Sequence, residues 1–281
     1  MHSVPYDERA IARLLESATQ HDGHPPFSGH KLKGLGGERS RSGVWADGSF
    51  TCVIGVAAFH EASGHWAVEV AVAPRCRGSE VEEASIRLAA DLVSDSDVHT
   101  IWAFRPDQIE AARRLGYREI RAVLRMAGSI PLRANGLHPR VAIATMESAD
   151  IEAIVAVNNR AFHDHPEQGA MTMEAFETLM TQPWFDPAGV LVAREGDRIA
   201  GFCITKHDKD QDGEIFVIAV DPVDQHSGMG KELIWAGFDV LRSRAIETVI
   251  VWVDETNQTA IRMYASLGLT EDFRTHELAP F

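Results

Sequence analysis

Ile215-Phe216-Val217-Ile218-Ala219-Val220-Asp221-Pro222, followed by Gln225-His226-Ser227-Gly228-Met229-Gly230, is the stretch from which the fold is read. Its first part is apolar and rich in β-branched residues, as a strand buried on both faces is. Its second part joins that strand to a helix. Glycines there let the backbone come close to a ligand, and the helix start offers unpaired N–H groups and the positive end of its dipole. That arrangement accepts a pyrophosphate, although turns before helices also use glycine for conformational reasons alone. It is not a Walker loop, since no Gly-Lys-Ser/Thr follows. Nor is it G-x-G-x-x-G, because Leu233 stands where the third glycine would be.

The chain repeats this pattern. Near residue 70 it reads Ala67-Val68-Glu69-Val70-Ala71-Val72-Ala73-Pro74, then Arg77-Gly78-Ser79-Glu80-Val81-Glu82. A constant offset of 148 carries Pro74 onto Pro222, Arg77 onto Gln225 and Glu82 onto Gly230. Arg114-Leu115-Gly116-Tyr117 matches Ser266-Leu267-Gly268-Leu269 at an offset of 152. With 281 residues, the chain is long enough for two domains. Breakers between Pro131 and Pro139 put the junction there, so an α/β fold of two tandem domains is expected, 1–133 and 139–281. Each is a mixed β-sheet flanked by helices.

Within the second half, a strand is expected over 141–145 and a helix over 150–162, with Ser148 or Asp150 as N-cap. A hairpin turns at Gly196-Asp197, and a strand covers 214–220. A helix over 230–244, a strand over 248–253 and a helix over 259–267 follow, the last ended by Gly268.

Lys plus Arg is 27 and Asp plus Glu is 41, a net charge of −14. That sign opposes nucleic-acid phosphates and anionic membranes, so a small-molecule substrate is expected, with no nucleic-acid or membrane partner. A monomer is expected. The three cysteines, Cys52, Cys76 and Cys203, form no C-x-x-C and point to a reducing cytosol. The polar, acidic start is unlike a signal peptide, and no apolar run approaches the roughly 20 residues of a membrane span. A cytoplasmic location follows as the expectation.

A strand ending in Val-Asp-Pro, then Gln-x-x-Gly-x-Gly, a helix, a strand, and Asn257 and Tyr264 before Leu267-Gly268 resembles the GNAT acetyltransferase superfamily. Both halves carry the order, so the chain resembles a tandem GNAT protein. Asn158-Asn159-Arg160-Ala161-Phe162, His165-Pro166-Glu167-Gln168-Gly169, Trp184-Phe185-Asp186-Pro187, Gly201-Phe202 with Thr205-Lys206, and Gly213-Glu214 narrow the likeness to the mycothiol synthases. The resemblance implies N-acetylation of the cysteinyl amine of a cysteinyl-glucosamine-inositol thiol, with acetyl-CoA as donor. Two alternatives stay open: a GNAT acting on another small amine, such as an aminoglycoside or polyamine, and a non-catalytic acetyl-CoA-binding sensor.

Glu214 matches the family's general base, and a solvated turn residue is the competing reading. An α-amino group has a pKa of about 7.7–8.0, so roughly a tenth to a sixth is neutral at pH 7. A carboxylate acting through water can supply the remaining deprotonation. Tyr264 matches the general acid for the leaving thiolate, while the spacing of Ile261, Tyr264 and Leu267 also fits helix packing. For acetyl-CoA the resemblance implies the strand residues Ile218, Ala219 and Val220, with a backbone N–H for the oxyanion. It implies the turn Gln225, His226, Ser227, Gly228, Met229, Gly230 and Lys231, and the helix start Asn257, Gln258, Thr259, Ala260, Ile261 and Arg262. Asn257 would orient the pantetheine arm; Arg262 meets a phosphate or is a surface arginine.

For the sugar substrate, Glu167, Lys206 and Trp252 fall where the family contacts its precursor, and Trp252 stacks on the ring or packs in the core. The family's acidic contact near Asp22-Gly23 is replaced by His30. Cys203, on an apolar strand, is read as a small hydrophobe, so no covalent intermediate is implied. No metal is expected: Asp208-x-Asp210-x-Asp212-Gly213 imitates an EF-hand opening, but Ala219 replaces its final glutamate.

In the first half, the offset of 148 turns the two glycines of the phosphate turn into Glu80 and Glu82 and puts Trp66 at Glu214. The offset of 152 puts Ala112 at Tyr264 and Arg105 at Asn257. Residues 1–133 are therefore expected to form a degenerate domain, without acetyl transfer, that walls the substrate cleft. One acetyl-CoA per chain, in the second domain, is the expectation.

Overall fold

The structure is a computed structural model, described over residues 2–4, 8–27, 40–46, 53–60, 64–94, 98–132, 142–165, 168–207 and 212–281. Two compact units emerge. The first comprises Met1–Val123 and Arg274–Phe281, and the second Leu124–Phe273. The division thus falls inside strands and not at the expected linker, and the chain returns to the first unit at its end. The expected junction, 133–139, lies outside the described residues.

The first unit contains β1 (His2–Val4), α1 (Glu8–Asp22), β2 (Ser40–Ala46), β3 (Val53–His60) and β4 (Trp66–Val72). A 3-10 turn at Pro74–Cys76, α2 (Ser79–Leu92), β5 (His99–Ala103) and α3 (Pro106–Arg114) follow, then the first half of β6 (Tyr117–Ser129). Its sheet order is β1-β2-β3-β4-β5-β12, where β12 (Thr270–Pro280) contributes its second half. All pairs are antiparallel except β4 with β5.

The second unit continues from β6 to β7 (Ala142–Thr145), α4 (Ile151–Ala161), α5 (Met173–Met180), β8 (Val190–Glu195), β9 (Arg198–Lys206) and β10 (Gly213–Val220). A 3-10 turn at Pro222–Asp224, α6 (Met229–Ser243), β11 (Thr248–Asp254) and α7 (Gln258–Ser266) complete it. Its sheet order is β6-β11-β10-β9-β8-β7. Alternation along β9 splits the core: Cys203 packs with Leu233, Phe238 and Tyr264 on one face, while Phe202 and Ile204 pack with Ile154 and Phe176 on the other. Among the described residues, no helix is long and apolar enough to cross a membrane.

The two units share the run of strand, 3-10 turn, helix, strand, helix and strand from β4 to β6 and from β10 to β12. In both, the last helix of the repeat ends at a left-handed glycine, Gly116 at φ 88° and Gly268 at φ 90°, where any side chain would be strained. The offset of 152 holds there, since α3 starts at Pro106 and α7 at Gln258. At the phosphate turn the repeat is not ungapped. The 3-10 turns keep the offset of 148, but α2 starts after Gly78 and α6 after Gly228, an offset of 150. The first unit's turn is two residues shorter. Gly78 therefore matches Gly228, Glu80 matches Gly230, and Glu82 matches Glu232, which corrects the expected pairing of Glu82 with Gly230. The hydrogen bonds agree, since Glu82 N donates to Gly78 O and Glu232 N to Gly228 O.

Glu82 is nonetheless unusual. It is fully buried, ion-paired to Arg105 at the start of α3, and Arg105 also holds Asp107 at 3.0 Å. Its Oε2 has no hydrogen-bond partner. Burial outweighs the attraction of Arg105 and Arg77, and repulsion from Asp107 adds to it, so the carboxyl is pushed up to about 7. The folded protein therefore holds this proton more tightly than the unfolded chain. The resulting stability is full below about pH 4.5 and is lost as pH rises toward 7. Glu82→Gln removes the titration. The unfolding midpoint of the parent should fall relative to that of Glu82→Gln between pH 5 and pH 7.5, followed by thermal melts; parallel pH profiles would show that Glu82 does not titrate in that window.

Candidate active site

β10 is the strand on which the site is built. Along β9 it pairs from Glu214↔Lys206 to Val220↔Gly201, with a bulge between Ile215 and Val217. Along β11 the parallel ladder covers only Gly213↔Val249 and Glu214↔Ile250 among the described residues. Beyond Glu214 the two strands part, and Ile218, Ala219 and Val220 run along an edge that lies in the interior of a sheet. Such an edge presents backbone donors and acceptors to anything extended that enters.

Glu214 stands where the strands begin to part, with only 9% of its surface exposed. Lys206, its register partner on β9, donates from Nζ to Glu214 Oε2 at 2.9 Å. The same ammonium lies 5.6 Å from the ring centre of Trp184 and 5.5 Å from that of Phe216, whose rings are 4.8 Å apart. The bulge occurs at Phe216. Trp252, two residues past Ile250 on the same face of β11, is 41% exposed and packs edge-on against Phe273 at 6.2 Å. The structure thus joins Lys206 to Glu214 and leaves the indole of Trp252 open to solvent. Glu167 lies outside the described residues.

Tyr264 projects from α7 into the core that Ile218 and Val220 pack against, and is 4% exposed. Burial, and secondarily the neighbouring Cys203, pushes its phenol above the ordinary value, so it stays protonated. A protonated phenol can give up a proton. Asn257 caps α7, its Oδ1 accepting from Ala260 N at 3.1 Å. Gln258 Nε2 donates to Glu255 O at 2.7 Å, Thr259 and Arg262 are exposed, and Ile261 packs against the core.

The turn into α6 takes two left-handed residues, His226 at φ 62° and Gly228 at φ 90°. Ser227 Oγ donates to Asp224 O and accepts from Met229 N, while Gln225 Nε2 donates to Val220 O. Met229 is buried, but His226, Ser227 and Gly228 are exposed, so the turn offers its backbone to solvent. A methyl at Gly230 would meet Val220 and Met263 only at 3.7 and 3.8 Å. Lys231 Nζ reaches Ser266 Oγ at 3.4 Å. The turn is braced from below, since Arg160 of α4 bonds the buried Asp221 (3.0 Å from Nε) and Arg198 pairs with Asp224. The result is a helix N-terminus whose positive end is directed at an exposed turn.

Sequence reasoning missed the aromatic pair beneath Lys206. Trp184 carried a signal, its place in Trp184-Phe185-Asp186-Pro187. Phe216 carried none, because alternation along β10 does not reveal a bulge. It also missed α5, whose N-cap Thr172 accepts from Ala175 N at 3.1 Å. Among the described residues, no group of three or more His, Cys, Asp and Glu could hold a metal ion.

Comparison with known proteins adds to this geometry. Residues 154–269 match the Acetyltransferase (GNAT) family. The chain is 35% identical to a protein of Thermobispora bispora named mycothiol acetyltransferase, over 96% of this chain and 95% of that one. It is 36% identical to one of the same name from Thermomonospora curvata, over 92% and 89%. Among solved structures, a GCN5-related N-acetyltransferase from Sphaerobacter thermophilus superposes with a TM-score of 0.79 at 20% identity, covering 96% of this chain and 91% of that one. A tandem GNAT protein from the clavulanic acid pathway gives 0.69 at 15%, covering 99% and 97%. The fold is that of two tandem GNAT domains.

Cys203 offers a direct check on the site's chemistry. It is fully buried on β9, and burial pushes its thiol up to about 12. Iodoacetamide at pH 8 should leave the Cys203 peptide unmodified in the folded protein and alkylate it after unfolding, read by mass spectrometry. Fast alkylation in the folded state would mean an accessible thiolate at the strand.

Proposed function

We infer that this chain, which belongs to the mycothiol acetyltransferase family, transfers an acetyl group from acetyl-CoA to the cysteinyl amine of a cysteinyl-glucosamine-inositol thiol, the last step in making mycothiol. The observation that carries the reading is the parting of β10 from β11 immediately after Glu214, with the open turn of α6 at the far end of the same strand. The thioester arm then lies as an added strand along Ile218, Ala219 and Val220, and the pyrophosphate rests on Gln225 to Lys231.

Each step has a residue. The substrate amine is partly neutral at pH 7, and Glu214 takes up the proton it loses, through water. The amine nitrogen bonds to the acetyl carbon, a backbone N–H of β10 stabilises the oxyanion, and the carbon–sulfur bond breaks. Tyr264 protonates the departing thiolate. The product is an amide and free CoA, without a covalent enzyme intermediate. Lys206, paired to Glu214 and backed by Trp184 and Phe216, and the open Trp252 give the sugar hydroxyls and ring their contacts, together with Glu167.

The first unit lacks this chemistry. Trp66 stands at the place of Glu214, paired across the parallel ladder with His99, and Ala112 stands at the place of Tyr264. We assign acetyl transfer to the second unit alone, on one acetyl-CoA per chain.

The assay is release of free CoA, trapped through its thiol, with the cysteinyl-glucosamine-inositol precursor set against a panel of aminoglycosides and polyamines. Turnover should be fastest with the precursor. Glu214→Gln should lower kcat by about 10²–10⁴-fold, most at low pH where the amine is more fully protonated, with acetyl-CoA affinity unchanged. Tyr264→Phe should slow it less, because the thiolate is a tolerable leaving group. Turnover of another amine but not the precursor would sink the substrate, and wild-type rates for Glu214→Gln from pH 6 to 9 would sink the base.

A further inference from the structure

Asn158, Asn159 and Arg160 lie in the last turn of α4, and each sends its side chain to a different part of the second unit. Successive helical residues point about 100° apart, so Asn158 and Arg160 face nearly opposite sides. Asn158 is fully buried, and its Nδ2 donates to Gln168 O at 2.7 Å and to Asn159 Oδ1 at 3.3 Å. Asn159 makes two bonds to one residue. Its Nδ2 donates to Met171 O at 2.8 Å, and its Oδ1 accepts from Met171 N at 2.9 Å. Two carboxamides thus hold the chain at 168 and at 171. Between them Gly169 comes so close to the end of α4 that a methyl would collide with the carbonyl oxygen of Phe162.

Stability alone does not call for Asn158. Its Oδ1 is buried without a hydrogen-bond partner, a cost that an apolar residue of similar size would avoid. What the asparagine adds is its hold on Gln168. The segment it holds lies on the acceptor side of the site. Met171 and Phe162 pack in the same apolar cluster as Trp184 and Phe216, the pair beneath Lys206, and Gln168 follows Glu167 in sequence.

Arg160 reaches the other side. Its Nε and Nη2 both donate to Asp221 Oδ2, at 3.0 and 2.5 Å. Asp221 is buried and caps the 3-10 turn Pro222–Asp224, its Oδ1 accepting from Val223 N at 3.3 Å. Arg198 lies 3.8 Å from Asp221 and bonds Asp224. Asp224 O accepts from Ser227 Oγ, which in turn accepts from Met229 N, the first residue of α6. A run of bonds therefore leads from α4 to the helix start above the exposed turn. A buried carboxylate keeps its place only while its cation stays.

We propose that the last turn of α4 positions both substrates: Arg160, through Asp221, fixes the turn on which the pyrophosphate rests, and Asn158 with Asn159 fixes the segment beside the acceptor. The proposal rests on the reading of the second unit as the acetyl-transfer site. The three act through Asp221, Gln168 and Met171, as positioning residues. Neighbours in sequence thus govern different ligands.

Steady-state kinetics separate the two arms. Asn159→Ala should raise the KM of the cysteinyl-glucosamine-inositol precursor about tenfold and leave that of acetyl-CoA at the wild-type value. Arg160→Met should do the reverse. Arg160→Lys keeps the charge but not the forked donor, so it should fall between Arg160→Met and the wild type, and it carries the test if Arg160→Met does not fold. Asn159→Asp can accept from Met171 N but cannot donate to Met171 O, and should likewise raise the KM of the precursor alone. Circular dichroism and thermal melts check the fold. A merely structural role would raise both KM values together or lower the melting temperature alone, and either result would overturn the proposal. If the wild type does not turn over the precursor, the reading of the acceptor falls, and titration with acetyl-CoA alone decides the Arg160 arm. Weaker binding in Arg160→Met but not in Asn159→Ala upholds that arm, and equal binding in the two overturns it.

Discussion

Parallel strands that share only two register pairs, Gly213↔Val249 and Glu214↔Ile250, leave backbone polar groups facing a gap in the middle of a sheet. An unpaired buried amide or carbonyl costs about 1–3 kcal/mol, so a sheet opens in this way only where something else satisfies the edge. The rest of the site is arranged around that opening. β9 stays paired with β10 up to Val220, the bulge at Phe216 leaves its ring 5.5 Å from the Lys206 ammonium, and Arg160 and Arg198 anchor the acidic residues that hold the turn. Close packing sets the tolerances elsewhere. A side chain on Gly128 of β6 would meet the carbonyl oxygen of Gly268 at 2.9 Å.

The same opening occurs twice and is resolved twice. In the first unit the carboxamide of Gln108 bonds Val70 O and Phe104 N, beside the buried ion pair of Glu82 and Arg105. That ion pair carries a cost of its own, visible in Glu82, whose second oxygen is buried without a partner.

Much of the fold could be read from residues. The buried run 214–220, the Leu-Gly exits and the hairpin at Gly196-Asp197 announce themselves through apolar periodicity and breakers, which are local properties. The candidate base and acid could be picked out only because a motif supplied their roles; by spacing alone, Glu214 and Tyr264 read equally as turn and packing residues. Three features were hidden because they depend on distant partners. The two-residue gap at the phosphate turn does not disturb the apolar pattern on either side of it. Gln108 is an ordinary helix residue until Val70 and Phe104 are placed beside it. The boundary between units escaped because breakers mark where a chain can turn, not which strands share a core.

That boundary affects how the molecule is made. The second half of β12 belongs to the first unit, pairing His276, Glu277 and Leu278 with β5, and Glu277 accepts from Thr100 Oγ1 across 177 residues of sequence. During synthesis the N-terminal repeat emerges first but cannot complete its sheet until the C-terminal segment has been made. β5 therefore waits with a bare strand edge while the second repeat is translated, and the two repeats, though each has its own core, are bound into one order of assembly. A contact this distant in sequence slows folding through loop closure. It also means that loss of Arg274–Phe281 would damage the unit built from the earlier part of the sequence.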